Sequence, residues 1–194
     1  MVTVGLLVLA AGRSSRFGSD KRVALLNDGR TLLHTTLSSA LASGLPVRVC
    51  LPYKNEEVIE QSQRLGVDKI INCPRSDRGM GFSLAESASR CYDWEGLLVI
   101  LGDMPFVKTE TYLTLANAVS DDAICIPVFE GNPGNPVAFG RSFFSSLEKL
   151  DGDVGAKNIV QANTQSVIEI SVSDKGILID IDTPDDVVNS DFSY

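Results

Sequence analysis

The chain has 194 residues, 44% of them hydrophobic, with 25 acidic side chains against 17 basic ones. This length supports one large core and is short for two, so we expect a single domain over residues 1–194. The formal charge of -8 argues against nonspecific nucleic-acid binding, which requires a basic face. After the N-terminal strand, no apolar run approaches the length of a membrane span, so we expect no membrane segment.

An apolar run over residues 4–9 predicts a strand buried on both faces, and it leads directly into a loop of small and basic residues. Small residues let backbone N–H groups approach an anion closely, and the basic side chains add positive charge around it. The residues expected to contact a polyphosphate ligand here are Leu9, Ala10, Ala11, Gly12, Arg13, Ser14, Gly18 and Lys21. Neither the Walker spacing nor GxGxxG follows this strand, so the loop is of another type. Arg13 and Arg22 are interpreted as solvated surface charges without a catalytic role.

Helices and strands alternate after this loop, which indicates a parallel α/β sheet. The predicted elements are helix 32–41, strand 47–51, helix 55–65, strand 69–72, helix 81–92, strand 96–101 and helix 109–120. Strands 123–127 and 137–139 flank a turn at 131–136 and predict a hairpin or meander across the parallel core. Helices 141–150 and 154–162, strands 167–172 and 177–181, and a helix opened by Thr183 and Pro184 complete the chain. We therefore expect a three-layer α/β/α fold with a mixed, mainly parallel, twisted sheet.

Two carboxylates are expected where predicted strands end. Asp103 follows strand 96–101 at the carboxyl end of the sheet, where open α/β folds bind ligands. Asp180 and Asp182 alternate with isoleucines, which would direct both to one face of a strand. Such carboxylates can hold Mg²⁺, which bridges phosphate oxygens. Asp103 could instead be a turn or cap residue, and Asp182 could instead cap the last helix.

The four cysteines and the single histidine give little support to other chemistry. The cysteines are scattered without a CxxC pair, which favours buried free thiols in a reducing cytoplasm over a zinc site or disulfides. His34 falls inside a predicted helix, away from every motif. Catalysis by histidine or a nucleophilic cysteine is therefore poorly supported, and a reaction here would depend on positioning and electrostatics.

Six segments resemble a known family. LAAGRSSRFGSDK resembles the LAAGxSxRxGxxK signature of the MobA-like and MocA-like nucleotidyltransferases of the molybdenum-cofactor type. The other five, in family order, are GMGFSL, LLVILGDMPFV, GNPVAFG, LDGDVGAK and DIDTPDD. On these segments the chain is identified as a member of that family. The second alanine of LAAG, together with Phe17, resembles the cytidylyl-transferring side more than the guanylyl-transferring side, which typically has LAGG.

The resemblance implies Mg²⁺-dependent transfer of a nucleotidyl group, with CTP favoured as the donor and a phosphorylated pterin, molybdopterin or its molybdenum form, as the acceptor. It implies that Lys21 acts near the α-phosphate and that Arg16 grips the β- and γ-phosphates. Asp103 and Asp182 are implied as metal ligands. Further contacts to the nucleotide are expected from Gly79, Ser83 and Gly102. A molybdoenzyme or its chaperone would be the protein that receives such a product.

Two departures from the family pattern leave the acceptor open. Asn135 stands where the family usually has His, Lys157 stands where it usually has Arg, and both segments are expected to face the acceptor. A sugar phosphate or polyol phosphate is the alternative acceptor, although Asp20 replaces the Pro that usually precedes the loop lysine in sugar-nucleotide enzymes. A second alternative is a nucleotide-binding module without turnover that acts as a cofactor chaperone. A complete metal site argues against that alternative, because binding alone does not require one.

Overall fold

The computed structural model describes residues 3–53 and 55–188. One sheet contains eight strands, β1 (Val4–Leu9), β2 (Val47–Pro52), β3 (Lys69–Cys73), β4 (Gly96–Leu101), β5 (Ile124–Phe129), β6 (Asn132–Pro133), β7 (Val137–Gly140) and β8 (Val167–Ser171). The strand order is β3-β2-β1-β4-β7-β5-β6, and β8 pairs with β5. Strands β1 to β4 are mutually parallel, whereas β7 runs antiparallel to β4 and β5. The predicted mixed sheet with a meander beyond its parallel part is therefore confirmed.

Helices cover both faces of this sheet. They are α1 (Leu32–Leu41), α2 (Glu56–Leu65), α3 (Met80–Ala88), α4 (Thr109–Ala118), α5 (Phe144–Leu147), α6 (Lys157–Ala162) and α7 (Pro184–Val188). Buried side chains of α1, α2 and α4 join one hydrophobic cluster, and those of α3, α5 and α6 join a second cluster on the opposite face. The helices of residues 3–53 and 55–188 are all too short or too polar to span a bilayer.

Strand β1 lies in the middle of the molecule and contributes to both clusters. Leu6 and Val8 face one cluster, and Leu7 and Leu9 face the other, as expected for a strand buried on both sides. Gly5 has no side chain because the Trp94 ring occupies that space: an added Cβ would lie 2.1 Å from Trp94 Cδ2. The predicted two-sided burial of this strand is confirmed.

The register between β1 and β4 determines where the loops that follow them begin. The two strands are paired from Val4 opposite Gly96 to Leu9 opposite Leu101, so they end at the same level. The Gly102 N–H donates to Leu9 O at 2.9 Å and continues the ladder by one bond. The loop after β1 and the loop after β4 therefore leave the sheet side by side.

The predicted strand over residues 177–181 is wrong. A 3-10 helix occupies Lys175–Leu178, and its N-cap Asp174 accepts the Gly176 N–H at 2.9 Å. Gly176 packs so tightly on Phe106 that an added Cβ would lie 2.0 Å from its carbonyl oxygen. Ile177 and Ile181 are buried because this segment crosses the carboxyl edge of the sheet, not because they belong to a strand. The backbone continues over the loop after β4, where the Ile181 N–H donates to Asp103 O at 2.9 Å.

Candidate active site

A cavity of about 490 Å³ lies at the carboxyl ends of β1 and β4. Its walls are the loop after β1, the start of α3 and the loop after β4. The predicted site residues that line it are Leu9, Ala10, Ala11, Gly12, Arg13, Ser14, Arg16, Lys21, Gly79, Ser83, Gly102, Asp103 and Asp182. Gly18 is absent from the lining; it has a φ of +79° and closes the turn in which its N–H donates to Ser14 O at 3.2 Å.

In the described loop after β1, backbone N–H groups are unpaired, whereas three backbone carbonyls accept hydrogen bonds from within the protein. In the described chain, the backbone N–H groups of residues 11–16 donate no hydrogen bond to the protein. The carbonyls of Ala10 and Gly12 accept from Arg22, and the Ser14 carbonyl accepts from Phe17 and Gly18. A run of unpaired N–H groups at a cavity wall is an anion-binding arrangement. The predicted phosphate loop therefore has the donors that a polyphosphate needs.

Lys21, Asp103 and Asp182 line the cavity together with side chains that are 15%, 22% and 23% exposed, and we call these three residues the floor of the cavity. The Lys21 ammonium donates to Asp103 Oδ2 at 2.7 Å, to Asp182 Oδ1 at 3.0 Å and to the Ile181 carbonyl at 3.1 Å. Burial by itself would lower the pKa of Lys21, but the two carboxylates, chiefly Asp103, outweigh it and raise that pKa. The lysine is therefore charged and held by both carboxylates.

Asp182 contacts both Lys21, in the floor of the cavity, and Arg16, at its mouth. Its Oδ1 accepts from Lys21, and its Oδ2 lies 2.7 Å from Nη1 of Arg16. The Arg16 side chain is 74% exposed, so its guanidinium remains accessible to a ligand. Asp182 is not the cap of α7. Thr183 fills that role, because its hydroxyl accepts the Asp186 N–H at 3.3 Å, and Asp186 Oδ2 accepts the Asp182 and Thr183 N–H groups.

The two carboxylates fit a hard divalent cation. Asp103 Oδ1 is buried and has no hydrogen-bond partner among the described residues, which leaves one carboxylate oxygen without a protein donor. No group of three or more His, Cys, Asp or Glu residues suited to a metal occurs in the described ranges, so the protein would offer two carboxylates and leave the other positions to water and phosphate oxygens. Mg²⁺ is commonly held in that way. Asp180 is outside the lining.

Arg22 corrects the sequence-based interpretation. Its side chain is 12% exposed and donates to Ala10 O at 2.7 Å, to Gly12 O at 3.1 Å and to Asp20 Oδ2 at 2.9 Å. It is therefore a partly buried cation in the cavity wall and not a solvated surface charge, because the loop folds its carbonyls back over the guanidinium. Arg13 is an exposed charge, as predicted. Its side chain is 65% exposed, and its Nη2 lies 3.6 Å from Asp77 Oδ2.

The start of α3 forms the opposite wall. Gly79 has a φ of +122°, and an added Cβ there would lie 2.3 Å from Gly152 O. The Gly81 N–H donates to that same carbonyl at 2.8 Å, which fastens the helix start to loop 151–155. Ser83 is buried, and its hydroxyl lies 3.4 Å from Gly79 O. This close backbone packing explains the glycines of GMGFSL.

Two residues in the segments expected to face the acceptor do not reach the cavity. Neither Asn135 nor Lys157 lines the cavity, although Asn135 precedes β7 and so lies at the same edge of the sheet as the end of β4. Asp153, in the same LDGDVGAK segment as Lys157, does line it, as do Arg78 and Met80. Of the two segments expected to face the acceptor, LDGDVGAK reaches the cavity through Asp153 and not through Lys157, and no residue of GNPVAFG lines the cavity.

Known proteins resemble this chain in sequence and in fold. The family model described as MobA-like NTP transferase domain matches residues 6–167. A curated relative, the molybdenum cofactor cytidylyltransferase of Escherichia coli strain K12, is 25% identical over 194 residues and is matched over 100% of this chain and 98% of its own length.

Two solved structures from Mycobacterium tuberculosis H37Rv share the fold. Rv0371c is 27% identical, with a TM-score of 0.83 and coverage of 97% of this chain and 96% of that one. Its complex with manganese is also 27% identical, with a TM-score of 0.80 and coverage of 96% and 97%. The α/β nucleotidyltransferase fold is thus shared along almost the whole chain.

Proposed function

Because the chain belongs to the MobA-like NTP transferase family, we propose that it transfers a nucleotidyl group from a nucleoside triphosphate to a phosphorylated acceptor and releases pyrophosphate. The observation that carries this proposal is the position of Lys21, which bridges Asp103 and Asp182 in the same cavity as a loop with six consecutive unpaired N–H groups. A triphosphate in the cavity would meet the N–H donors of the loop and the positive charges of Lys21 and Arg16.

Each polar group then has a distinct part in the reaction. The loop N–H groups bind the triphosphate, and Arg16, exposed at the mouth, holds the β- and γ-phosphates through its planar fork. Lys21 stabilises the negative charge that develops at the α-phosphate as the acceptor phosphate attacks in line. Asp103 and Asp182 would hold Mg²⁺, which supplies positive charge to the phosphate oxygens when it is bound. The acceptor is already a phosphate, so the protein need not provide a nucleophile.

We propose CTP as the donor and molybdopterin, or its molybdenum form, as the acceptor. The LAAG sequence and the Escherichia coli relative with a cytidylyltransferase name support this choice. The departures at Asn135 and Lys157 leave the acceptor open, and a sugar or polyol phosphate that accepts the nucleotide at the same donor site is the alternative. A molybdoenzyme or its chaperone is the proposed recipient of a pterin product.

The deciding experiment measures pyrophosphate release with Mg²⁺ and each of the four nucleoside triphosphates, with and without molybdopterin. Release only with CTP and the pterin supports donor, acceptor and reaction together. Release with CTP and a sugar or polyol phosphate would replace the acceptor. Tight nucleotide binding without release for any of these acceptors would instead indicate a binding module.

Variants separate the metal site from the donor site. Asp103→Ala is expected to abolish turnover without unfolding, whereas Asp185→Ala, an exposed carboxylate outside the cavity lining, should retain it. Mg²⁺-dependent activity near the wild-type rate in Asp103→Ala would refute the metal assignment. Ala11→Gly is expected to relax selection against GTP, and an unchanged ratio of kcat/KM for CTP and GTP would remove the LAAG argument.

A further inference from the structure

Three side chains, Asp20, Arg22 and Asn55, connect the phosphate loop to the start of α2. The guanidinium of Arg22 donates to the carbonyls of Ala10 and Gly12 on one side and to Asp20 Oδ2, at 2.9 Å, on the other. The Asn55 amide donates to the same Asp20 oxygen, also at 2.9 Å. We call Asp20, Arg22 and Asn55 the loop clamp.

The clamp is anchored at both of its ends. Asn55 is the N-cap of α2, where its side-chain oxygen accepts the Val58 N–H at 3.4 Å. Asp20 is the N-cap of the 3-10 helix Lys21–Val23, where its Oδ1 accepts the Arg22 N–H at 3.1 Å. Asp20 and Asn55 therefore each cap the start of a helix and also belong to the clamp. These two helix starts hold the guanidinium of Arg22 in place.

Peptide geometry links the clamp to the unpaired donors. The C=O and N–H of a trans peptide point in opposite directions. Because Arg22 holds the carbonyls of Ala10 and Gly12, the N–H groups of Ala11 and Arg13 point away from the guanidinium, and both residues line the cavity. If either peptide rotated, a carbonyl oxygen would replace an N–H in front of the anion.

We propose that Arg22 is a positioning residue for the triphosphate: through Asp20 and Asn55 it holds the phosphate loop in the conformation that presents its N–H groups. This inference rests on the proposed function, in which that loop binds the triphosphate. The clamp acts mainly on binding, because it orders donors that contact the phosphates before and during transfer alike. Its loss therefore raises KM more than it lowers kcat.

The test uses one variant inside the cavity and one outside it. Arg22→Lys keeps a positive charge, but a single nitrogen cannot reproduce the planar guanidinium, whose Nη1 donates to the two carbonyls and whose Nη2 donates to Asp20. Asn55→Ser keeps the helix cap, since serine is a favourable N-cap, but removes the amide that donates to Asp20. Arg30→Lys, an exposed arginine paired with Asp28, is the matched control. We expect Arg22→Lys to raise the Kd and KM for CTP about 10-fold, Asn55→Ser to raise them about 3-fold, and both to leave kcat within about 2-fold.

Two further measurements show whether Arg22 positions the phosphate loop or only stabilises the folded protein. Guanidinium ion at millimolar concentration should restore CTP binding to Arg22→Ala, whereas sodium at the same ionic strength should not. In the nucleotide-free protein, ¹⁵N relaxation should show lower order parameters for the amides of residues 11–13 in both clamp variants than in Arg30→Lys.

Different results would refute the proposed function and the proposed role of the clamp. If the wild-type protein binds no nucleoside triphosphate, the proposed function fails, while the relaxation data still decide whether the clamp orders the loop. If Arg22→Lys weakens binding but Asn55→Ser matches the wild type in both binding and loop order, Arg22 acts by direct contact and the clamp is refuted. Wild-type binding and loop order in both variants would also refute it.

Discussion

Replacing Lys21 with methionine tests the electrostatic arrangement of the cavity floor. Methionine keeps an unbranched apolar stem and removes the ammonium that donates to Asp103 and Asp182. The variant thus leaves two carboxylates near one another without their shared cation. We expect the metal-free variant to be less stable than the wild type, although no hydrophobic contact of the core is lost.

The size of the effect follows from the burial of the three groups. Removing one partner of a fully buried ion pair costs about 3–5 kcal/mol, whereas exposed pairs contribute about 0–1 kcal/mol. The Lys21 side chain is 15% exposed, and those of Asp103 and Asp182 are 22% and 23% exposed, which places this cluster between the two cases. We therefore expect a loss of about 2 kcal/mol, which lowers Tm by about 4–8 °C in a chain of this size.

Calorimetry in EDTA, followed by titration with Mn²⁺ or Mg²⁺, measures both parts of the effect. A divalent cation should stabilise Lys21→Met more than the wild type, because no lysine competes for the carboxylates; at about 100 times its Kd the gain is about 2.7 kcal/mol. Lys149→Met, which removes an exposed lysine, serves as the control. A Tm loss no larger than that of the control, or equal metal shifts in wild type and variant, would show that the ammonium does not hold the carboxylates together.

Three further predictions concern the frame around the site. Gly5→Ala should lower the free energy of unfolding by about 2 kcal/mol or more in urea titrations, because its Cβ would overlap the buried Trp94 ring; a loss below about 0.5 kcal/mol would mean that the ring can move aside. Asp174→Asn should cost about 2 kcal/mol, since Asp174 accepts from the Lys108 and Gly176 N–H groups and the Thr111 hydroxyl, and an amide leaves one of those donors facing an NH₂ group; an unchanged midpoint contradicts this. The four cysteines are buried free thiols, and burial raises the pKa of Cys91 to about 11, so Ellman's reagent should modify none of them at neutral pH until the protein unfolds; rapid modification of the native protein would contradict that burial.

Periodicity was sufficient to predict most of the fold. The strands at 4–9 and 96–101 are continuous apolar runs, and the structure has strands with the same bounds, Val4–Leu9 and Gly96–Leu101. Helix α1 likewise matches its predicted range of 32–41. The predicted helix over 81–92 extends past the end of α3 at Ala88, because apolar residues continue into the turn where Cys91 and Trp94 pack into the core. Apolar spacing reports burial, and burial continues after a helix has ended.

Tertiary contacts determine the conformation of residues 175–182, which the sequence periodicity did not predict. The apolar residues 177–179 and the alternation of isoleucine and aspartate over 179–182 are typical of a strand, yet Gly176 packs on the Phe106 carbonyl and the chain forms a 3-10 helix at Lys175–Leu178. Asp182 still reaches the site because the loop after β4 supports its backbone through Asp103 O and Ile181 N.

The role of Arg22 had no local signal in the sequence. Its neighbour Asp20 is two residues away, but the third member of the clamp, Asn55, lies 35 residues from Asp20 in the chain. A motif identifies residues that meet a ligand, whereas a residue that supports the motif can come from any part of the fold. Only the three-dimensional arrangement could identify it.

The bonds of Lys21 also set the order in which the site can be built during synthesis. Its two carboxylate partners are 82 and 161 residues away along the chain. A nascent chain that has released the first four strands of the sheet carries the phosphate loop and Asp103, but its lysine has only one of those two partners. Residue 182 must be translated and leave the ribosome before the floor of the cavity can close, so 182 of the 194 residues are synthesised before the candidate site is complete.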